Sequence, residues 1–238
     1  MSVVPNVIPP APGSAAKRAP VSPLENGDRL TRAEFERRYG AMPDVKKAEL
    51  IEGIVHMPSP VRTQRHGRPH VNVATWLGYY LSKTPGLDEY GDNSTVRLDV
   101  DNEPQPDLYL NLPKRLGGTA VIDEDDYLTG APTLVCEIAA SSVSFDLHSK
   151  LNVYRRNQVR EYLVWRTDDR AVDWFAWREG RYEPLPVDAG GVIRSEQFPG
   201  LWLDAGALIA LNLPVLFAMV DAGASSPGHV EFVKRLAQ

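Results

Sequence analysis

The chain has 238 residues, 43% of them hydrophobic, enough for one well-filled core and too few to demand two, so one compact unit with peripheral additions is expected. Its net charge of −5, from 26 basic and 31 acidic residues, excludes a bulk positive field drawing it onto nucleic acid, so any such contact has to be local. The lone Cys136 excludes a disulfide or thiolate metal cluster; with no secretory leader or apolar run of membrane length, a cytoplasmic protein without a membrane partner is expected.

Residues 1–24, rich in Pro, Ala and Ser with nothing periodic to bury, are expected to form a disordered tail. Thr31 followed by Glu34 makes a capping box for a helix through TRAEFERRY, closed by Gly40. AELIEGIVHM reads as a hairpin or bulged strand around Gly53, ended by the turn formers Pro58, Ser59 and Pro60. From His66 to Leu81, the apolar residues Val71, Val73, Ala74, Leu77, Tyr80 and Leu81 recur with the period of a helix. Arg62, Arg65 and Arg68 stand with His66 and His70 at its start, and Arg155, Arg156 and Arg160 make a second local basic patch.

STVRLDV and PDLYL are both strand-like and flank a charged turn, while the acidic AVIDEDDYLTG is expected at the periphery. LVCEIAA is a strongly apolar strand, SFDLHSKLNVYRRNQV a helix with Leu147, Leu151 and Tyr154 on one face, and EYLVWR a second strand. Strand, helix and strand suggest a βαβ crossover. TDDR turns the chain into AVDWFAWREG, and GRYEPLPVDAGGVIRS reads as a further antiparallel strand, so the sheet is mixed. The late apolar run, interrupted by Asn212 and Pro214, is expected to be a packed helix or an oligomer contact, and residues 211–238 a partly helical C-terminal extension.

In LVCEIAA, alternation sets Cys136 against Glu137, which then stands on a face otherwise occupied by Val135 and Ala139. A buried, unpaired carboxylate costs several kcal/mol and asks for a partner such as a cation. Asp107, directly after Pro106, begins another strand, and on adjacent strands the two carboxylates converge on one ion. Mg²⁺ suits so sparse a set, because it takes one or two carboxylates and fills the rest with water and phosphate. Ordinary salt bridges and strand ends produce the same two residues.

Lys150 follows Asp146 at helical spacing, so the two are either a surface ion pair or a lysine turned back over the strand edge toward the attacking water. Tyr154 shares that face as core or as a support for Lys150. Glu52, ahead of the flexible Gly53, is a fourth candidate and by itself reads as a solvated carboxylate; Glu49 is a weaker alternative for the same task. His66 and His70 have a metal-ligand spacing, but HGRPH lacks the central glutamate of a zinc hydrolase. No phosphate-binding glycine loop or serine-nucleophile motif occurs. Trp165, Trp174 and Trp177 read as sheet packing.

Taken together, ELIEG, the His66 region, PDLYL, LVCEIAASS, Asp146, Lys150, Tyr154 and VREYLVW resemble the Uma2 restriction-endonuclease family, formerly a domain of unknown function, within the PD-(D/E)XK nuclease superfamily. The likeness runs from about Leu30 to about Leu203. It implies an α/β fold with a restriction-endonuclease-like core, a mixed β-sheet flanked by helices, over residues 25–210, and a Mg²⁺-dependent phosphodiesterase site, with Mn²⁺ as a substitute. The family's proline-aspartate element falls on Pro106 and Asp107, its strand glutamate on Glu137 and its early acidic position on Glu52. The superfamily's plainest motif would put the lysine at Ala139; the resemblance places it on the following helix, at Lys150. The family's serine-proline-serine appears here as Ala140, Ser141 and Ser142.

The reading that follows is a DNA endonuclease in which Asp107 and Glu137 bind the metal, Lys150 assists the water and Glu52 adds a carboxylate. Cutting both strands asks for two sites, so a homodimer is expected. The competing reading keeps the fold as an inactive nucleic-acid-binding or assembly protein. A third possibility has RNA or a small phosphoester as the substrate.

Overall fold

The computed structural model describes residues 21–57 and 60–238. Most of the expected tail, residues 1–20, lies outside the described residues, as do Pro58 and Ser59 of the expected turn. Leu24, at the end of that expected tail, is instead buried with Phe35, Ala48, Leu50 and Val55 in a small core of its own.

Helix α1 (Arg32–Tyr39) starts where the capping box places it, with the Thr31 hydroxyl accepting from the Glu34 N–H. Strands β1 (Glu49–Ile51) and β2 (Ile54–His56) pair antiparallel through a two-residue turn at Glu52 and Gly53, both at positive φ. This is the turn geometry that matches strand twist, with Glu52 accepting a conformation that favours glycine. A π-helical turn, Thr63–Gly67, leads into α2 (Arg68–Lys83), whose inner face carries Val73, Trp76, Leu77 and Tyr80.

Strand β3 (Glu89–Asp92) follows, then β4 (Val96–Arg97), β5 (Leu108–Asn111), β6 (Val121–Ile122), β7 (Leu128–Thr129) and β8 (Leu134–Ala139). A second π-helical turn, Phe145–Lys150, opens α3 (Leu151–Arg156). Beyond it lie β9 (Glu161–Arg166), β10 (Ala171–Arg178), β11 (Arg181–Pro184), β12 (Val192–Arg194) and β13 (Trp202–Asp204), then α4 (Ala205–Ile209), α5 (Leu213–Ala224) and α6 (Pro227–Leu236). Among the described residues, no helix is long and apolar enough to cross a membrane.

The main sheet runs β11-β10-β9-β8-β5-β3, with β8 and β9 parallel across α3 and every other pair antiparallel. It is the expected mixed sheet with one βαβ crossover. Two expectations need correction. STVRLDV contributes only β4, which pairs with β7 in a small separate sheet that the acidic 120–130 segment completes. GRYEPLPVDAGGVIRS is two strands: β11 stays in the main sheet, while β12 pairs with β13. Pro184 and Pro186 cannot donate to a ladder and Gly190 and Gly191 form a turn, so one continuous strand cannot persist there.

Alternation divides the sheet's two faces. Leu134, Cys136, Ile138, Leu163 and Trp165 face a core shared with Trp76, Tyr80, Leu216, Val220 and Phe232 of α2, α5 and α6. Val135, Ala139, Tyr162 and Val164 face Val153 and Tyr154 of α3. Full burial of each large apolar side chain contributes roughly 1.5–3 kcal/mol. Cys136 is therefore a packing residue, and Glu137 points to the α3 side.

Helix α5 approaches the turn before β13 so closely that a Cβ on Gly223 would lie 2.1 Å from the Gly200 carbonyl oxygen. Gly78, inside α2, has open space around its Cβ position. Gly223→Ala is expected to lower stability in urea denaturation by about 1–3 kcal/mol through overpacking, whereas Gly78→Ala should raise it by roughly 0.5–1 kcal/mol. Equal effects at the two sites would contradict this packing.

Candidate active site

The register of β5 against β8 pairs Leu108 with Cys136, which puts Asp107, just before β5, beside Glu137. The Ile138 N–H donates to Asp107 Oδ2 at 2.8 Å and the Asp107 N–H to Glu137 Oε2 at 3.4 Å. Both acids are 3% exposed.

Lys150 completes the cluster from α3's side. Its Nζ lies 2.9 Å from Glu137 Oε1 and 2.8 Å from Glu49 Oε1, and the Tyr154 hydroxyl donates to Glu137 Oε1 at 2.9 Å. The π-helical turn, with one residue more per turn than an α-helix, ends at Lys150 and buries both Asp146 and Lys150. The surface ion pair allowed for these two is thus corrected: Lys150 bonds to Glu49 and Glu137. Asp146 lies within electrostatic range of Lys150, and its backbone N–H donates to the Ser142 carbonyl at 2.9 Å.

Glu52 is not brought to this cluster. It occupies the exposed tip of the β1–β2 turn and pairs with Arg156 at 2.8 Å. The early carboxylate at the cluster is Glu49, held through Oε1 by the Gln105 N–H at 2.8 Å as well as by Lys150. The strand pattern contained the signal: in β1, Glu49 shares a face with the buried Ile51, whereas Glu52 falls in the turn.

Two further residues reach the Asp107 carboxylate. His66, from the first π-helical turn, has Nε2 3.2 Å from Oδ2, and Lys47 has Nζ 3.8 Å from Oδ1. His70 stacks beside His66 and reaches the Asp107 carbonyl at 3.3 Å and Asp92 at 3.2 Å. Neither His66 nor Lys47 could be assigned from spacing, since only the fold brings residues 47, 66 and 107 together. Lys47 and His66, with side chains 27% and 20% exposed, are where solvent reaches Asp107.

The charges do not balance. Four carboxyls, Glu49, Asp107, Glu137 and Asp146, face two ammonium groups, Lys47 and Lys150, and one imidazole, His66. Burial disfavours a charged Lys150, but Glu137, Glu49 and Asp146 more than offset it and hold the lysine protonated. Burial of Asp107 is likewise outweighed, by His66, Lys47 and the Ile138 N–H, and its carboxyl is lowered to about 2. The shortfall falls on Glu137, which burial pushes up to about 8 despite Lys150. Burial also raises Asp146.

Among the described residues, no group of three or more His, Cys, Asp and Glu side chains is placed to enclose a metal ion by itself. Two carboxylate oxygens are nonetheless lightly engaged: Asp107 Oδ1, with only Lys47 at 3.8 Å, and Glu137 Oε2, with the Asp107 N–H at 3.4 Å. Such a donor set fits a hard cation that keeps most of its waters.

Comparison with known proteins agrees with this architecture. Residues 32–206 match the Uma2 family model, described as "Putative restriction endonuclease". The fold is similar to the crystal structure of a putative nuclease belonging to DUF820 from Anabaena variabilis, at a TM-score of 0.57 and 12% identity over 74% of this chain and 97% of that one. No curated protein matches.

Removing Lys150 strands buried carboxylates. Lys150→Met is expected to cost about 3–5 kcal/mol near pH 8. Glu137 is neutral below about 8 in the folded wild type and, without Lys150, stays neutral to higher pH, so the loss should grow as pH rises through about 8 and level off below it. Glu52→Gln, at a half-exposed ion pair, should change stability by less than about 1 kcal/mol. Urea denaturation across pH checks both; a pH-independent loss below about 1 kcal/mol for Lys150→Met would contradict the charge balance.

Proposed function

From the chain's membership of the Uma2 family, which the family match over most of its length shows, we propose that it is a divalent-cation-dependent endonuclease hydrolysing DNA phosphodiester bonds. The observation carrying this reading is the excess of buried carboxyls over ammonium groups at the junction of β5, β8 and the Phe145–Lys150 turn.

In this reading Asp107 and Glu137 would hold Mg²⁺, or Mn²⁺ in its place. The bound ion supplies an activated water and offsets charge growing on the phosphate. Lys150, fixed between Glu49 and Glu137, orients the water, and Tyr154 holds Glu137 against rotation. Glu49 takes the early acidic role that the sequence reading gave to Glu52. Lys47 and His66, on the exposed side of Asp107, meet the incoming phosphate. A homodimer presenting two such sites to a duplex, in the cytoplasm, belongs to the same proposal.

One observation favours the second reading, an inactive nucleic-acid-binding or assembly protein: Lys150 is 3% exposed and already engaged by two carboxylates. Cleavage of supercoiled plasmid, single-stranded DNA and RNA in Mg²⁺ or Mn²⁺ separates the two. Wild type should cut DNA, and Asp107→Asn, Glu137→Gln, Lys150→Gln and Glu49→Gln should each lose roughly a hundredfold or more, with Glu52→Gln near wild type. No cleavage by folded wild type, or cleavage indifferent to these changes, would favour the inactive reading, and cleavage of RNA alone would move the substrate class.

A further inference from the structure

Gln105 connects the carboxyl cluster to a separate cavity. Its backbone N–H holds Glu49, while its side-chain amide donates to Thr95 Oγ1 at 3.0 Å and to the Tyr39 hydroxyl at 3.4 Å in the cavity wall. The cavity measures about 650 Å³ and lies between the end of α1 and the segment running from β4 toward β5. Its lining includes the apolar bodies of Tyr39, Met42 and Val45 and the charged Glu36, Glu103, Arg97 and Asp125.

Glu103 is the unusual member. It is 3% exposed, and no N–H or O–H among the described residues donates to its buried Oε2; the side-chain neighbour of its carboxyl at hydrogen-bonding range is the Glu36 carboxyl. The charged groups facing it are Glu36, Arg97 and Arg32. The two arginines are already committed: Arg97 Nε is 3.0 Å from Glu36 and its Nη1 2.8 Å from both Asp123 and Asp125, and Arg32 is 3.5 Å from Glu36. The Arg97 guanidinium also lies over the Tyr127 ring, 4.3 Å from its centroid. Four carboxylates therefore face two guanidinium groups, and burial followed by the Glu36 carboxyl pushes Glu103 up to about 8.

The acidic wall repels phosphates and other anions. A metal ion would find no set of three ligating side chains among the described residues. A monocation with an apolar stem matches both kinds of lining: charge at Glu103 and Glu36, hydrocarbon along Met42 and Val45. We propose that this cavity is a binding site for an alkylammonium group, either a free aliphatic amine or a lysyl side chain, with the ammonium seated at Glu103. The cation takes the place of the proton that otherwise neutralises Glu103.

Calorimetric titration of the full chain with butylammonium, with N-acetyl-lysine methylamide and with neutral butan-1-ol tests this. One alkylammonium per chain should bind and butan-1-ol should not; preference between the two cations tells a free amine from a lysyl side chain. Because the cation displaces a proton, wild-type affinity should weaken about tenfold for each pH unit below about 8. Glu103→Gln should weaken binding at least about tenfold, the effect of losing a buried charged partner. Val45→Trp, at the partly buried apolar wall, fills the stem's space, should do the same, and keeps the test decisive if Glu103→Gln does not fold. Butan-1-ol binding as tightly as butylammonium, no cation binding to folded wild type, or affinity unchanged by pH and by the folded variants would overturn the proposal.

Discussion

Four carboxyls held around two ammonium groups, almost out of reach of water, is the constraint from which the rest of the structure is best understood. A carboxylate in such a place costs several kcal/mol unless something positive meets it. Lys150 meets Glu49 and Glu137, Lys47 and His66 meet Asp107, Asp146 has no ion pair of its own, and the shortfall raises both Glu137 and Asp146. A core selected only for stability would put apolar side chains here, as it does at Val135 and Ala139 on the same strand face. Retaining the imbalance is what the proposed site for a cation and a phosphate would require.

The scaffold supplies that imbalance by ordinary means. Strand pairing between β5 and β8 fixes the Asp107–Glu137 spacing through backbone hydrogen bonds rather than through flexible side chains. The parallel β8–β9 pair obliges the chain to cross over one face of the sheet, and this crossover carries Lys150 and Tyr154 above Glu137. Both π-helical turns deliver a residue to the cluster, His66 from one and Lys150 from the other. Such turns, bonded i to i+5, are rare and occur frequently at functional sites.

Much of this was legible in the sequence because it rests on period and local chemistry. The apolar run around Cys136 with one glutamate in it, the helical period from His66, the capping box at Thr31 and the strand–helix–strand order all fix elements the structure contains. What was not legible depends on contacts distant in sequence. The choice of Glu49 over Glu52 is the exception, since strand alternation and the tight turn at Glu52–Gly53 carried that signal locally, and the bridge from Leu50 to Glu103 only secures it. Lys47 and His66 carry no motif, and their role exists only once β1, the first π-helical turn and β5 meet. The spacing of Asp146 and Lys150 left open a surface pair or a lysine turned back over the strand edge, and the π-helical turn, which buries both residues, decides between them.

The central claim is that Asp107 and Glu137 are short of one divalent cation, and equilibrium binding of Mn²⁺, followed by the loss of its free-ion spin-resonance signal near pH 8, tests it without reference to catalysis. One ion per chain, bound at least about a hundredfold more weakly by folded Asp107→Asn and Glu137→Gln and unchanged in Glu52→Gln, is the result expected. No binding to the folded wild type, or binding indifferent to both changes, would contradict it.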